Sequence, residues 1–111
     1  MNVIIFGPPG AGKGTQANKI VNKFNLYQVS TGDLLRAEVK NQTDIGRDIE
    51  NIISKGDFAT DEIVNQLIKN IISDPKKKNK LIFDGYPRSL SQAKNLNFLL
   101  DNSKQKIDFI F

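Results

Sequence analysis

Apolar residues recur along the chain at two spacings, and the spacing separates strands from helices. Residues 2–6 (NVIIF) are a short branched and aromatic run closed by Gly7-Pro8-Pro9-Gly10, the pattern of a buried strand feeding a tight loop. Residues 26–30 (LYQVS), 81–83 (LIF, ending at Asp84-Gly85) and 107–111 (IDFIF) read as three further strands. Between them the period lengthens to that of helices. Lys13 to Phe24 is one; Ser30-Thr31-Gly32-Asp33 starts a second that runs from Leu34 to Lys40. Thr43 to Lys55 puts Ile45, Ile49, Ile52 and Ile53 on one face, with Gly56 placed to end it. Thr60-Asp61 caps a helix to about Ser73, striped by Ile63, Val64, Leu67, Ile68, Ile71 and Ile72, and Ser89 or Ser91 starts another through Leu100. Strands alternating with helices predict an α/β fold, a parallel sheet with helices on both faces.

Composition narrows the chemistry. A chain of 111 residues, 39% apolar and 25% charged, suits one core of an ordinary globular domain. The longest apolar run, Val3 to Phe6, is far short of the ~20 residues that cross a bilayer. No membrane contact is expected, and a cytoplasmic location is the default. Cys, His and Trp are absent, which removes disulfides, thiol nucleophiles, zinc sites and imidazole acid–base chemistry. A metal must therefore be held by oxygen, which points to magnesium or calcium. The net charge of +4 resides in the cluster Lys76, Lys77, Lys78 and Lys80, opened as a turn by Asp74-Pro75. No aromatic side chain sits among these lysines to stack on bases, so the cluster reads as a solvated loop and no nucleic-acid partner is expected. Lysines outnumber arginines by 13 to 3, which makes Arg36, Arg47 and Arg88 candidates for the bidentate phosphate contacts that Lys cannot reproduce.

The segment Gly7-Pro8-Pro9-Gly10-Ala11-Gly12-Lys13-Gly14-Thr15 lies between a strand and a helix, the context that marks a phosphate-binding loop. Glycines let backbone amides and a helix N-terminus converge on phosphate oxygens, and Lys13 adds a point charge at the outer phosphates. The general pattern has Ser or Thr directly after the Lys. Here Gly14 intervenes and the hydroxyl comes at Thr15.

Beyond that loop, the sequence resembles an adenylate kinase along its whole length. GPPGAGKGTQA is the family's own loop variant, and STGDLLR (30–36), GDFATDEIV (56–64) and DGYPRSLSQA (84–93) follow in matching order and spacing. The resemblance implies a P-loop NTPase-type sheet with a small helical AMP-binding insertion: residues 1–29 and 60–111 as core, 30–59 as the AMP-binding helical part. It implies reversible phosphoryl transfer from ATP to AMP with magnesium as cofactor. Gly10, Ala11, Gly12, Lys13, Gly14 and Thr15 would wrap the ATP phosphates. Thr31 and Arg36 would hold AMP, with Arg36 on its phosphate, and Asp57, Phe58 and Ala59 would line its base and ribose. Gly85, Tyr86, Pro87 and Arg88 would form the other wall. Lys13 and Arg88 would be catalytic, Gln92 would pair with the adenine edge, and Asp84 would hold magnesium through water. Asp57, Phe58 and Tyr86 stand where Lys, Leu and Phe are more usual. Arg47 matches none of these segments and reads as a surface charge.

Two alternatives stand beside this reading: a kinase for another nucleoside monophosphate, which Gln92 argues against, and a nucleotide-binding module without turnover. The last predicted strand ends at Phe111 with no crossover helix after it. The chain is therefore expected to be the N-terminal portion of a longer protein, lacking the lid and the rest of the core. The complete enzyme is expected to be monomeric. The shorter chain is expected to self-associate through a bare sheet edge and to turn over slowly or not at all.

Overall fold

Three branched side chains in succession favour extended backbone and suit a strand covered on both faces. In the computed structural model, which describes residues 1–6, 12–57 and 60–111, they form β1 (Val3–Ile5), all three buried. The other strands are β2 (Tyr27–Ser30), β3 (Leu81–Asp84) and β4 (Phe109–Ile110). They make one parallel sheet in the order β2-β3-β1-β4. The helices are α1 (Lys13–Phe24), α2 (Thr31–Lys40), α3 (Asp44–Ser54), α4 (Asp61–Ile72) and α5 (Leu90–Asn102), with a single 3-10 turn at Pro75–Lys77.

Alternation along each strand sorts the core into two layers. Val3, Ile5 and Ile82 face α1, where they meet Ala17, Ile20 and Val21. Ile4, Leu81 and Phe83 face the other way, onto Val64, Ile68 and Ile72 of α4 and Leu96 and Leu100 of α5. The register pairs Ile5 with Asp84, so the Asp84 side chain falls on the α1 side of the sheet, beyond Ile82. Helix starts follow local chemistry: Thr43, Thr60 and Ser89 cap α3, α4 and α5 by accepting from the backbone N–H three residues on.

α2 and α3 cross at Gly46. A Cβ there would lie 2.1 Å from the Glu38 carbonyl oxygen, so only glycine lets the two backbones touch.

β1 and β4 are shorter than their apolar runs. β1 begins one residue late because Asn2 is committed elsewhere. Its buried amide donates to Gln105 Oε1 and the Lys106 carbonyl and accepts from Leu81 N–H. β4 has two regular residues instead of five, although Phe111 N–H still donates to the Ile4 carbonyl and Phe6 N–H to Phe111. Among the described residues it is an edge strand with β1 as its one neighbour. Phe109, Ile110 and Phe111 are each more than half exposed, and the rings of Phe109 and Phe111 stack 6.2 Å apart. No helix among the described residues is long and apolar enough to cross a membrane.

Candidate functional site

Parallel α/β sheets present ligands with the carboxyl ends of their strands. At that end β3 stops at Asp84, and α1 begins at Lys13 directly after Gly12, whose left-handed backbone (φ 80°) turns the chain into the helix. Lys13 and Asp84 meet there as an ion pair, both mostly buried at 17% and 14% side-chain exposure. The second Asp84 oxygen accepts from Gln28 Nε2 at 3.2 Å, across the β2–β3 ladder. Thus one carboxylate holds the lysine and is itself held by an edge-strand amide.

Past Asp84 the backbone turns at Gly85 with φ 78°, and a Cβ there would lie 3.1 Å from the Arg88 guanidinium. The missing side chain lets Arg88 fold back so that its Nε donates to the Gly85 carbonyl at 2.7 Å. The Tyr86–Pro87 bond between them is cis. Gln92, in the first turn of α5, is engaged at both ends. Its Oε1 accepts from the Arg88 backbone N–H at 2.7 Å and its Nε2 donates to Asp61 Oδ1 at 2.9 Å.

The Tyr86 ring is 1% exposed and packs 6.4 Å from Phe83. Its hydroxyl donates toward Asn65 Oδ1 and the Gln92 carbonyl at 3.4 and 3.3 Å. Burial pushes its pKa above 10.0, with the Asn95 amide opposing and the Asp61 carboxylate adding to the rise. This residue belongs to the core, and what it can offer a ligand is backbone.

On the helical side, Thr31 opens α2 and Arg36 is exposed, paired with Asp33 one turn back. An apolar cleft of about 300 Å³ runs beside Arg36 between α2 and α3, lined by Leu35, Val39, Ile49 and Ile53 with Lys40 at its rim. A larger open concavity of about 700 Å³ lies by Met1, Asn79 and Gln105, at the opposite end of the strands from Lys13, where this type of sheet does not bind its ligand.

The family model described as "Adenylate kinase" matches residues 5–111. The chain belongs to the adenylate kinase family. It is 57% identical over 107 residues to an adenylate kinase of Pelagibacter ubique, covering 96% of this chain and 50% of that protein. It is 47% identical over 111 residues to an adenylate kinase of Mycoplasma mycoides and 44% identical over 110 residues to one of Methanosarcina barkeri, covering 51% of each. The chain thus spans about half the length of these curated relatives.

Against the residues expected of an adenylate kinase, the structure brings Lys13 to Asp84 and joins Gly85, Arg88 and Gln92 into one hydrogen-bonded group. Gly14 and Thr15 follow in the first turn of α1, and Thr15 is exposed. Asp57 is exposed after α3, its N–H donating to the Ile52 carbonyl. Gly10, Ala11, Phe58 and Ala59 lie outside the described residues. Arg47 is exposed on α3, 4.0 Å from Asp44. Sequence reasoning missed two members of the group. Gln28 gave no signal beyond its place on a half-polar strand, and Asp61 read only as a helix start. Among the described residues no cluster of three acidic side chains exists to cage a metal. One carboxylate, such as Asp84 at the end of β3, would suit magnesium, which keeps most of its waters and is bound through one or two carboxylates plus substrate phosphates.

Proposed function

We propose that this chain carries the phosphate loop and AMP side of an enzyme that transfers a phosphoryl group reversibly between ATP and AMP, giving two ADP. Residues 1–29 and 60–111 act as its core and 30–59 as the part that grips AMP. The observation that carries the reading is the Lys13–Asp84 pair, placed where helix start and strand end converge, beside the Arg88–Gln92 group. In such a transfer the protein has little covalent work to do. Rate comes from holding donor and acceptor in line and from charge placed where the moving oxygens are.

Each side chain then has a role. Lys13 exchanges the Asp84 carboxylate for phosphate oxygens of ATP, with Gly10, Ala11, Gly12, Gly14 and Thr15 around them. Asp84, freed of the lysine and still oriented by Gln28, would hold magnesium through water. Magnesium, when bound with ATP, offsets the charge of the outer phosphates. Arg88 releases the Gly85 carbonyl to meet the group in transfer, while Arg36 leaves Asp33 for the AMP phosphate and Thr31 supports the nucleotide. The backbone of Asp57, Phe58, Ala59, Gly85, Tyr86 and Pro87 lines the AMP pocket, and Gln92 reads its base. The AMP phosphate is already ionised, so no general base is required in a chain without His.

Phosphorus NMR of the 111-residue chain with ATP, AMP and magnesium tests the proposal. ADP signals that depend on AMP support it, and nucleotide resonances that neither shift nor broaden when protein is added overturn it. A second reading, binding without turnover, is favoured by one observation: the relatives are about twice as long. Shifted resonances without ADP select it. The exposed β4 edge further supports self-association of the 111-residue chain.

A further inference from the structure

We propose that Asp61 is a positioning residue for nucleobase choice: its carboxylate fixes which end of the Gln92 amide faces the base, and so selects a 6-aminopurine over a 6-oxopurine. The inference rests on the reading of Gln92 as the base-recognition residue.

A glutamine amide can rotate by half a turn and exchange its donor and acceptor ends at little cost in shape. A site that uses it to tell purines apart needs something to stop that rotation. Here the two groups flanking the amide each have one-way chemistry. The Arg88 backbone N–H can only donate, and it takes Oε1 at 2.7 Å. The Asp61 carboxylate can only accept, and it takes Nε2 at 2.9 Å. Rotation would set Nε2–H against N–H and Oε1 against a carboxylate, two repulsions in place of two hydrogen bonds. Asp61 is available for this because Thr60 caps α4 on its own, its hydroxyl accepting from Ile63 N–H. The carboxylate can then reach from the first turn of α4 to a residue 31 positions on, in the first turn of α5.

The pinned amide keeps one N–H and one lone pair uncommitted among the described residues, with the donor on the Asp61 side and the acceptor on the Arg88 side. Adenine offers an acceptor at N1 and a donor at N6; hypoxanthine and guanine offer a donor at N1 and an acceptor at O6. The base is tethered through its ribose to a phosphate held elsewhere and cannot turn end for end to suit the amide. Only one sense of Gln92 therefore matches each class, and a hydrogen-bonding site rejects the mismatched one strongly. Asp61 holds the amide in a single sense, with no contact to the nucleotide required of it.

The test is a competition between AMP and IMP for the 111-residue chain, followed by phosphorus NMR. Wild type, Asp61→Asn and Glu62→Gln are compared, the last removing a neighbouring charge from the same helix turn. Asn offers a donor as well as an acceptor, so one of the two locks on the amide is lost and the Arg88 N–H alone opposes rotation. The AMP-to-IMP affinity ratio is then expected to fall roughly tenfold, the scale of one hydrogen bond to a charged group. The Glu62→Gln ratio should equal that of wild type. A general loosening of the helix start would weaken both nucleotides alike and leave the ratio unmoved. Because both ligands compete for the same folded molecules, partial unfolding cancels, and Asp61→Ser serves if the Asn variant does not fold. An unchanged ratio in a wild type that prefers AMP overturns the role of Asp61 alone. A wild type without preference for AMP overturns the reading of Gln92 and this inference with it.

Discussion

Replacing Gly46 by Ala sets two effects of similar size against each other, and the geometry decides between them. Alanine is the better helix former by about 1 kcal/mol, so at an open position in α3 the change would stabilise. At Gly46 the new Cβ would lie 2.1 Å from the Glu38 carbonyl oxygen, 2.6 Å from its carbon and 3.0 Å from Val39 N. A comfortable carbon–oxygen approach is about 3.3 Å, so α2 must retreat by roughly 1 Å. The obstructing atoms are backbone inside a helix, which no rotamer change can relieve. Overpacking of this kind costs about 1–3 kcal/mol, and a rigid neighbour argues for the upper half. Net of the propensity gain, the variant should lose about 1–2 kcal/mol, a fall in Tm of roughly 5–15 °C for a chain of this size. Circular dichroism melts measure it directly. Titration with AMP gives the second readout, since Thr31 and Arg36 ride on the helix that must move. A Tm equal to or above that of wild type would refute the reasoning, because α2 would then be free to slide and the close approach would have no structural role.

Other consequences are open to simpler tests. Tyr86→Phe should leave stability within about 1 kcal/mol at pH 7, because the two hydrogen bonds of the hydroxyl are long. Since burial raises the Tyr86 pKa in the folded state, wild type should lose stability as pH climbs from 10 through that raised value, and the Phe variant should lose less; parallel curves from pH-dependent melts would contradict this. Asp84→Asn frees Lys13 and removes the carboxylate paired with it. ATP titrations with and without magnesium should show metal-free binding kept and the magnesium enhancement gone. Asn2→Ala strands the buried Leu81 N–H and takes a donor from the part-buried Lys106 carbonyl, and should cost about 1–3 kcal/mol by urea denaturation. Ile110→Lys, a charge on the bare edge of β4, should convert concentration-dependent sedimentation into that of a monomer.

What could be read from the sequence was whatever depends on near neighbours. Thr43, Thr60 and Ser89 cap helices because a hydroxyl and the N–H three residues on are juxtaposed by helix geometry alone. The strand–loop–helix setting of Lys13 is local in the same sense. Contacts that join distant segments left no trace in the pattern. Asp61 sits in an ordinary first-turn position, and its hold on Gln92 exists only because the fold lays the start of α4 against the start of α5. Gln28 shares a carboxylate with Lys13 because β2 borders β3, a strand order that alternation cannot supply. The sequence gives no sign that the Tyr86 ring packs into the α4–α5 layer of the core, because the residues it meets there lie on other elements. Gly46 passed as one more helix residue, since the backbone it touches belongs to another helix.

The strand order β2-β3-β1-β4 sets a schedule for the chain as it is made. β1 lies between β3 and β4, so it can pair with nothing until β3 has emerged. About 75 residues separate Ile5 from Leu81. At translation rates of about 5–20 residues per second, the Val-Ile-Ile strand waits roughly 4 to 15 s before its first partner exists. Throughout that interval the nascent chain offers an apolar segment whose neighbours in the sheet do not yet exist. An interior strand of the sheet is thus the one that waits longest for its first partner.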